Sequence, residues 1–537
     1  MTNRTFKTGE SREQTCLLPP RIEDYVGPDN PVRAIESFVD ALDLVGLGFR
    51  HAERGADEVG QPPYHPADLL KLYLYGYINQ IRSSRRLERE ACRNLELIWL
   101  LKNLKPGYRT IANFRKANWA ALKAANRGFI LLVRELGLVE GSLVAIDGAF
   151  FHGDASKASI STRKKLTEQL AALDRDIEAY GATMEANDAA EARPPSRDDG
   201  NGDGSGGDLG QKVARLMARR NQVQADLDRL EASGETQLSR TDADARLLSK
   251  SGQTVAGYNV QIAVEAKHKL IVAGEVVNDG NDTNQLHAMA AAAKDALGVE
   301  TLQAAADIGY YNGSTLQACE ADGIVAYVPE AEKNSRLAKQ GRFTLNEFTY
   351  VAAQNIYRCP AGAELRPMQG YKEDAGKRHV RYVSSRSDCG PCPLRLRCLS
   401  IKARRREIYR WEHQDVIERH RARMAQAEAP AMMRKRSALA EHPFGTLKCR
   451  AGYRHFLVRG FDKVRGEWSL MALCYNFTRL LHILGFDRFM AKLAELAKHS
   501  SRSAGCCLKA VLAAITLILA RFRAEIFPED VPNGTPA

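Results

Sequence analysis

The sequence predicts an α/β protein in which a mixed sheet follows an all-α N-terminal region. Three observations predict this class. Apolar residues recur at helical spacing through the first 135 residues, short apolar runs alternate with helical patterns between residues 143 and 330, and a long heptad pattern interrupts that alternation. With 537 residues, the chain is long enough for several domains and at least one large core.

Residues 1–135 are expected to form a helical DNA-binding domain. Apolar residues in the segments 66–80 and 83–101 repeat at helical spacing and mark the inward side of each helix. The outward side is basic and carries the expected DNA-binding residues Arg82, Arg85, Arg86 and Arg89. Arginines along one side of short helices favour contact with DNA phosphates, although a helical bundle with a solvated basic face has the same pattern.

The overall charge also favours a polyanionic partner. The 77 Lys and Arg residues outnumber the 65 Asp and Glu residues, so the formal net charge is +12. The N-terminus has no apolar segment of the kind found in secretory signals, and the longest apolar stretch, residues 508–522, is short and closely flanked by charge. We therefore expect a cytoplasmic protein that binds nucleic acid and does not enter a membrane.

The first part of the α/β core is expected over residues 136–335. A strand over 143–147, a β-hairpin over 255–277, a strand that ends at Asp307 and a strand over 323–330 are separated by helical patterns. Strands that alternate with helices in this way predict a mixed sheet covered by helices.

Two further regions extend the core. The heptad pattern over residues 160–245 predicts an inserted antiparallel helical hairpin, with a flexible loop rich in Pro, Gly and Asp at about 190–210. Residues 413–490 are expected to form the C-terminal helices of the core, and residues 491–537 a tail with one amphipathic helix.

Two aspartates are expected at the ends of central strands. Asp147 follows the apolar run that begins at Leu143, and Asp307 ends a later strand. Ligands of open α/β sheets bind outside the carboxyl ends of strands. Two carboxylates brought close repel each other, and a shared proton or a divalent cation such as Mg²⁺ relieves the repulsion. Position alone favours the other interpretation, that both acids are turn residues at strand ends.

A third acid would complete a metal site. Glu441 is followed seven residues later by Lys448, which places the two side chains on one face of a helix, about two turns apart. Pro443 and Gly445 predict that this helix breaks just after Glu441. Glu467 is the competing third acid. A further acid, Asp282, is expected to cap the helix that follows it.

Four cysteines lie close together in the segment 336–412. Cys359, Cys389, Cys392 and Cys398 have spacings that suit a tetrahedral structural Zn²⁺ site, which would act in folding. Buried free thiols or redox chemistry are the alternatives. A small Cys-rich, zinc-type module is therefore expected between the two parts of the core.

The motifs together resemble those of the DDE transposases encoded by bacterial insertion sequences. The stretches "AIDGAFFHGDAS", "GYNVQIAVEAKHKLIV", "NDGNDTNQL", "ADIGYYNG", "CGPCPLRLRC", "EHPFGTLK" and "YNFTRLL" occur in the family's order. The chain is most similar to the group that has a cysteine cluster before the glutamate. The resemblance implies an RNase H-like catalytic core whose catalytic triad is Asp147, Asp307 and Glu441.

The same resemblance implies the chemistry. The triad would bind Mg²⁺ or Mn²⁺, cleave DNA at the inverted-repeat ends of the element and transfer the strand into target DNA, with the protein acting as a homodimer or higher oligomer. Gly148 would leave room beside the first acid for metal or DNA backbone. A non-catalytic DNA-binding relic and a related nuclease without strand transfer are the alternatives.

The sequence departs from the family's pattern near the glutamate. Related transposases often carry an arginine four positions before it, where this chain has Ser437. Arg434 and Arg436 lie close by and, with Lys448, are the DNA-binding residues expected in this region. The departure affects an arginine expected to contact DNA and does not affect the three acids of the expected triad.

Overall fold

The structure is a computed structural model that describes residues 21–53, 62–191, 206–250, 252–330, 339–374 and 376–502. Its N-terminal part is helical, as predicted. The six helices α1–α6 are Val32–Asp40, Pro66–Ile78, Ser84–Arg93, Leu95–Leu100, Tyr108–Ala117 and Trp119–Glu135. Asn94 divides the predicted helical segment 83–101, because its side-chain oxygen accepts hydrogen bonds from the main-chain N–H groups of Glu96 and Leu97 and so caps α4.

A six-stranded mixed sheet forms the centre of the molecule. Its strands are β1 (Leu143–His152), β4 (Arg246–Lys250), β5 (Gln253–Glu265), β6 (Ile271–Val277), β7 (Leu302–Ala305) and β8 (Ile324–Tyr327), in the order β4-β5-β1-β7-β8 with β6 also paired to β5. β1 runs antiparallel to β5 and parallel to β7, and β7 runs parallel to β8. Helices α9 (Gln285–Leu297) and α10 (Gly313–Ala321) connect the later strands. The predicted order of strands and helices is confirmed, and the edge strand β4 is an addition.

The first strand is longer than predicted. Asp147 does not end β1, because the antiparallel ladder with β5 continues from Asp147, opposite Ile262, to His152, opposite Gly257. The parallel ladder with β7, by contrast, ends at Ala145. Asp147 therefore lies within a strand, but at the point where one of its two neighbouring strands has ended.

The predicted helical hairpin is confirmed. Helices α7 (Arg163–Glu191) and α8 (Gly206–Ser233) pack together through heptad residues, and the short strands β2 (Ile160–Thr162) and β3 (Gln237–Ser239) pair at its base. The buried contacts between the helices come from Leu166, Leu170, Leu173, Val223 and Leu230. Most of the predicted loop at about 190–210 lies outside the described residues.

The cysteine segment contains a second sheet that the sequence patterns did not predict. Five antiparallel strands pair in the order β13-β12-β11-β10-β9 around a small core of their own. They are β9 (Thr349–Val351), β10 (Ile356–Arg358), β11 (Glu364–Asp374), β12 (Lys377–Ser384) and β13 (Glu407–Trp411), and two short helices, α11 (Arg386–Cys389) and α12 (Arg395–Cys398), lie between the last two strands.

Four helices complete the described chain. They are α13 (Gln414–Met424), α14 (Glu428–Gly445), α15 (Phe461–Leu484) and α16 (Phe486–Arg502). The predicted break after Glu441 is wrong, because α14 runs through Pro443 and widens into a π-helical turn over Thr446–Arg450. The predicted tail helix over 508–522 lies outside the described residues, none of whose helices is long and apolar enough to cross a membrane.

A buried carboxylate joins the N-terminal helices to α15. Glu467 is fully buried, and its Oε1 accepts hydrogen bonds from Tyr77 Oη at 2.8 Å, Arg82 Nη2 at 2.9 Å and Arg115 Nη1 at 3.4 Å. Burial opposes its charge, but the charges of Arg115 and Arg82 outweigh burial and lower the pKa of Glu467. The carboxylate is therefore ionised at neutral pH.

We expect Glu467→Gln to destabilise the protein by about 3–5 kcal/mol, because the substitution leaves two buried guanidinium groups without a counter-charge. Urea unfolding at pH 7 measures the change. The matched control is Glu231→Gln, which breaks the exposed ion pair with Arg163 and is expected to cost less than about 1 kcal/mol. Equal unfolding midpoints for the two variants would contradict the expectation.

Candidate active site

The sheet brings the two predicted aspartates together. In the parallel ladder, Ala145 of β1 lies opposite Ala305 of β7, and each aspartate follows two residues after these positions. Arg436 of α14 reaches both acids, with its Nη2 at 2.7 Å from Asp147 Oδ1 and 3.6 Å from Asp307 Oδ2. One guanidinium group thus contacts two converging carboxylates at the carboxyl edge of β1 and β7 and offsets part of their charge.

The acid pair lies in a partly dehydrated environment. The side chain of Asp147 is 17% exposed, and that of Asp307 is 28% exposed. Burial raises the pKa of Asp147 and the charge of Asp307 adds to the rise, although Arg436 and the N–H of Gly148 oppose it. The positive charge of Arg436 therefore reduces the repulsion between the two neighbouring acids.

The contact with Arg436 is an ion pair without directed hydrogen bonds. Within the described part of the chain, Nε and Nη2 of Arg436 are buried without a hydrogen-bond partner. Buried N–H groups without acceptors cost about 1–3 kcal/mol each. Arg436 was predicted to grip DNA, but in this structure it binds the two acids.

Glu441 lies on the part of α14 that crosses β1. Residues before and after Glu441 in the chain both contact β1. Arg436 contacts Asp147, and Lys448 Nζ donates to the main-chain oxygen of Phe150 at 2.8 Å. Glu441 itself is exposed and accepts a hydrogen bond of 2.9 Å from Ser437. The structure therefore places Glu441 close along the helix to the acid pair without a direct contact to either aspartate.

The competing acid, Glu467, belongs to a different part of the molecule. Both of its oxygens are engaged, Oε1 by the N-terminal side chains and Oε2 by the N–H of Leu457 at 2.8 Å. A carboxylate with both oxygens hydrogen-bonded in this way has no free oxygen for a ligand. Glu467 therefore belongs to the contact with the N-terminal helices, and the role of Glu441 as the third acid stays a prediction.

Lys448 is half-buried rather than open to a phosphate. Its ammonium lies 4.5 Å from the ring centre of Phe151, and burial lowers its pKa to about 8, against the opposing charge of Asp147. His442, which follows Glu441, is hydrogen-bonded through its Nδ1 to Tyr475 Oη at 2.9 Å.

One of the predicted DNA-binding arginines is in the wrong place for that role. Arg82 is buried, bound to Glu467 and, at 2.6 Å, to the main-chain oxygen of His455, so the prediction that it lies on the outer basic side is wrong. Arg82 lies just before α3, where its side chain enters the core and provides a counter-charge for Glu467. Arg85, Arg86, Arg89 and Arg434 are exposed, and their role in DNA binding stays a prediction.

Sequence reasoning missed one acid at this edge of the sheet. Asp282 is 5% exposed and does not cap α9, whose N-cap is Asn284. Its Oδ1 accepts hydrogen bonds from Asn259 Nδ2 at 2.8 Å and Gln261 Nε2 at 2.7 Å. The signal in the sequence was the pair of polar residues in the otherwise apolar run of β5, because buried amides require partners.

Gly148 has a different role from the predicted one. A Cβ atom at this position would lie 2.4 Å from Gln261 Nε2 and 2.7 Å from Asp282 Oδ1. The space beside Gly148 is therefore already filled by polar side chains of the protein, and it is not open to a metal or to DNA backbone.

The four cysteines line one cavity of the second sheet. Burial raises the pKa of the Cys398 thiol, and Cys389, Cys359 and Cys392 add to the rise, while Arg406 opposes it. Among the described residues, no three His, Cys, Asp or Glu side chains are arranged to hold a metal ion. The donor set suits zinc, but the thiols are not gathered into a closed tetrahedral site, and zinc stays a prediction.

Comparison with protein families gives two matches. A family described as a transposase DDE domain matches residues 358–481, which include the cysteines, Arg436, Glu441 and Lys448. A family described as a transposase domain (DUF772) matches residues 20–117, in the helical region. No curated protein and no solved structure matches the chain.

The two family matches point to one class of protein. Both are transposase families, and together they support a DDE transposase of the kind carried by bacterial insertion sequences. The general activity that these families suggest is DNA transposition, which implies DNA as the substrate.

The lowered pKa of Lys448 can be measured directly. We expect its amine to become reactive with trace acetic anhydride with a midpoint near pH 8, read by mass spectrometry of the labelled peptide. Asp147→Asn is expected to move the midpoint to lower pH, because it removes the negative charge that favours the ammonium. A midpoint near the ordinary lysine value of about 10.4 would refute the burial of this side chain.

Proposed function

We propose that this chain cuts DNA at the ends of an insertion sequence and joins the freed strand to target DNA in a divalent-metal-dependent reaction. The observation that carries the proposal is the convergence of Asp147 and Asp307 on one cationic group at the carboxyl edge of β1 and β7. The strand order and directions around β1 support an RNase H-like core. The family matches support the transposase chemistry.

The donor set at the acid pair fits Mg²⁺ or Mn²⁺. Aspartate supplies the hard oxygens that Mg²⁺ prefers, and Mg²⁺ commonly takes only one or two protein carboxylates, with waters and phosphate oxygens as its other ligands. A cationic group already lies between the two carboxylates in the form of Arg436. We propose that Asp147, Asp307 and Glu441 hold the metal, which when bound would activate the attacking oxygen and stabilise the leaving oxygen.

The reaction consists of two phosphoryl transfers at one site. In the first, a water oxygen bonds to phosphorus at the element end and the bond to the 3′ oxygen breaks, so that the 3′ oxygen leaves as a hydroxyl. In the second, that hydroxyl attacks a phosphodiester of target DNA and displaces the 3′ oxygen there. The protein contributes mainly by positioning the strands and neutralising charge.

The basic residues divide into two groups. Arg85, Arg86, Arg89 and Arg434 are exposed and are proposed to contact DNA phosphates. Arg436 lies beside the acids, where it can turn to a phosphate once a metal neutralises the carboxylates. Lys448 can reach a phosphate only after it leaves the main-chain oxygen of Phe150. A homodimer or higher oligomer on DNA, acting in the cytoplasm, completes the proposal.

Asp147→Asn and Asp307→Asn are each expected to abolish end cleavage while DNA binding survives, because they remove negative charge from the metal position and keep the side-chain shape. Cleavage of a labelled element end in Mg²⁺ and a gel-shift assay give the two readouts. Asp154→Asn is the control, since Asp154 is an exposed residue paired with Arg459, and it is expected to cleave normally. Full cleavage by either site variant would exclude the proposed triad.

Precut ends and a supercoiled plasmid separate the proposed activity from its alternatives. We expect joined product from the wild-type protein. Nicking of the plasmid without joining would instead indicate a nuclease, and bound but unaltered DNA would indicate a non-catalytic relic.

We also propose that Cys359, Cys389, Cys392 and Cys398 close around a structural zinc ion. The protein is expected to carry about one zinc ion per chain, measured by elemental analysis. Cys389→Ser is expected to lose the zinc, and Cys92→Ser, at an exposed cysteine outside the cavity, is expected to keep it. Full zinc content in the Cys389 variant would contradict the assignment.

A further inference from the structure

Most of the net positive charge of the protein lies in the segment that forms the second sheet. Residues 339–412 contain 16 Lys and Arg residues but only 7 Asp and Glu residues, which gives a net charge of +9, while the whole chain of 537 residues has a net charge of +12. A charge excess that is confined to one short segment indicates a contact surface for a polyanion.

Six of these cations line one cavity beside the start of β13. The cavity has a volume of about 630 Å³, and Glu407 is the one acid among the described residues that line it. We call this cavity the arginine pocket, and its cations are Arg342, Arg386, Lys402, Arg404, Arg405 and Arg406. Cations gathered in this excess repel each other, and a bound anion relieves the repulsion.

Four cations of the arginine pocket have no counter-charge within the described part of the chain. No ion pair or side-chain hydrogen bond there involves Arg342, Arg386, Lys402 or Arg404. The one acid, Glu407, already lies 3.5 Å from Arg405 and 3.9 Å from Arg381, which is outside the pocket. Its charge is therefore shared by other arginines, and the four cations are available to an external anion.

Two arginines hold in place the loop between α12 and β13, which carries four of the six cations. Arg406 donates from Nη1 to the main-chain oxygen of Cys398 and from Nη2 to that of Phe343, both at 3.0 Å. Arg395 donates from Nη2 to the main-chain oxygen of Ala403 at 3.1 Å. Because these bonds fix the loop before any ligand binds, less conformational entropy is lost when its side chains contact a partner.

The same region exposes large apolar side chains. Ile401, in the loop, is 93% exposed and Leu396, in α12, is 82% exposed, whereas the next most exposed large apolar side chain of the described residues, Tyr371, is 59% exposed. A fixed loop that leaves an isoleucine in water indicates a contact surface. Proteins that bind DNA grooves often place apolar side chains beside arginines, where they contact the bases while the arginines contact phosphates.

Trp411 fixes the second sheet to the main core. It ends β13 and packs in the main core cluster, where a Cβ atom on Gly313 of α10 would lie 3.1 Å from its ring and 3.2 Å from Ile417 of α13. The preceding Arg410 also bonds Glu418 of α13, at 3.1 Å from Nη2. A ligand in the arginine pocket is therefore held at a fixed position relative to the core.

We propose that the arginine pocket binds backbone phosphates of a DNA duplex while Ile401 and Leu396 contact its groove, which makes this loop a DNA-binding surface separate from the arginines of α3. The proposal rests on the proposed function and names a further part of the protein that holds the substrate. The planar guanidinium group pairs well with phosphate oxygens. A basic loop with apolar tips also suits an anionic membrane, but the match of residues 358–481 to a transposase family favours DNA.

The test is binding of the full chain to a fluorescein-labelled DNA duplex, measured by fluorescence anisotropy without added divalent metal. The triple variant Arg386→Gln, Lys402→Gln, Arg404→Gln is expected to bind about 10- to 100-fold more weakly at low salt. The slope of log affinity against log salt concentration is expected to become shallower by about 2 to 3, because three phosphate contacts are lost.

The matched control removes the same charge from the helical hairpin. It is the triple variant Arg175→Gln, Arg215→Gln, Arg219→Gln, whose residues are exposed on α7 and α8. This control is expected to keep the affinity and the salt slope of the wild type. Circular dichroism verifies that both triple variants are folded.

Ile401→Ser separates the apolar contact from the charge. It is expected to weaken duplex binding by about 5- to 10-fold, because apolar surface is no longer buried against DNA. The salt slope is expected to stay that of the wild type, since no phosphate contact is removed. Met217→Ser is the control, because Met217 is a 49% exposed residue of α8, and it is expected to bind as the wild type does.

The outcomes separate this proposal from the proposed function. Normal duplex binding by the pocket variant, or an equal loss in the hairpin control, would overturn the DNA-binding surface, and cleavage that is lost in Asp147→Asn would still support the catalytic function. A wild-type protein that binds no duplex would overturn both. Binding to phosphatidylglycerol vesicles that requires the pocket cations, with duplex binding independent of them, would assign the surface to a membrane instead. A weaker, less salt-dependent pocket variant beside a normal control would establish the surface.

Discussion

The buried carboxylate of Glu467 holds the N-terminal helices and the sheet in one arrangement. Tyr77, Arg82 and Arg115 come from the helical region, while Glu467 lies on α15, which packs against β6. Ion clusters of this kind add little net stability compared with apolar packing, but losing one partner is costly. We infer that the cluster favours this docking of the two parts, because here each buried arginine contacts the carboxylate. The exposed arginines of α3 thereby keep a fixed position relative to the acids.

At the acidic edge of the sheet, opposite charges are also paired, although this site is more exposed to water than Glu467. Asp147 and Asp307 converge where β7 has ended, and like charges at short range are unfavourable in a partly dehydrated site. The charge of Arg436 offsets this repulsion. Arg436 is a long side chain on a helix, whereas the two acids lie on or just after strands. The counter-charge can therefore move while the carboxylates stay in place, which the proposed function requires.

Much of this arrangement follows from patterns that are local in the sequence. Helical and alternating periodicities predicted the N-terminal helices, the inserted hairpin and the order of strands and helices in the core, because each depends on neighbours within a few residues. The second sheet escaped prediction because its exposed strands carry many polar residues; β11, for instance, is exposed along most of its length. The path of α14 through Pro443 also escaped, because packing against the sheet outweighs a local helix breaker.

By itself, the sequence predicted Asp147, Asp307 and Glu441 as the acids of the family's motifs, and it placed Asp147 and Asp307 at the same edge of a sheet, since both follow apolar strand runs. Only the tertiary structure decided what surrounds them. Arg82 and Arg436 look alike in the sequence as basic helix residues, yet one is buried against Glu467 and the other spans two aspartates. Asp282 reads as a helix cap until β5 brings Asn259 and Gln261 against it. The reason is physical: the role of a charge is set by its counter-charge and its exposure to water, and both come from segments that are distant in the chain.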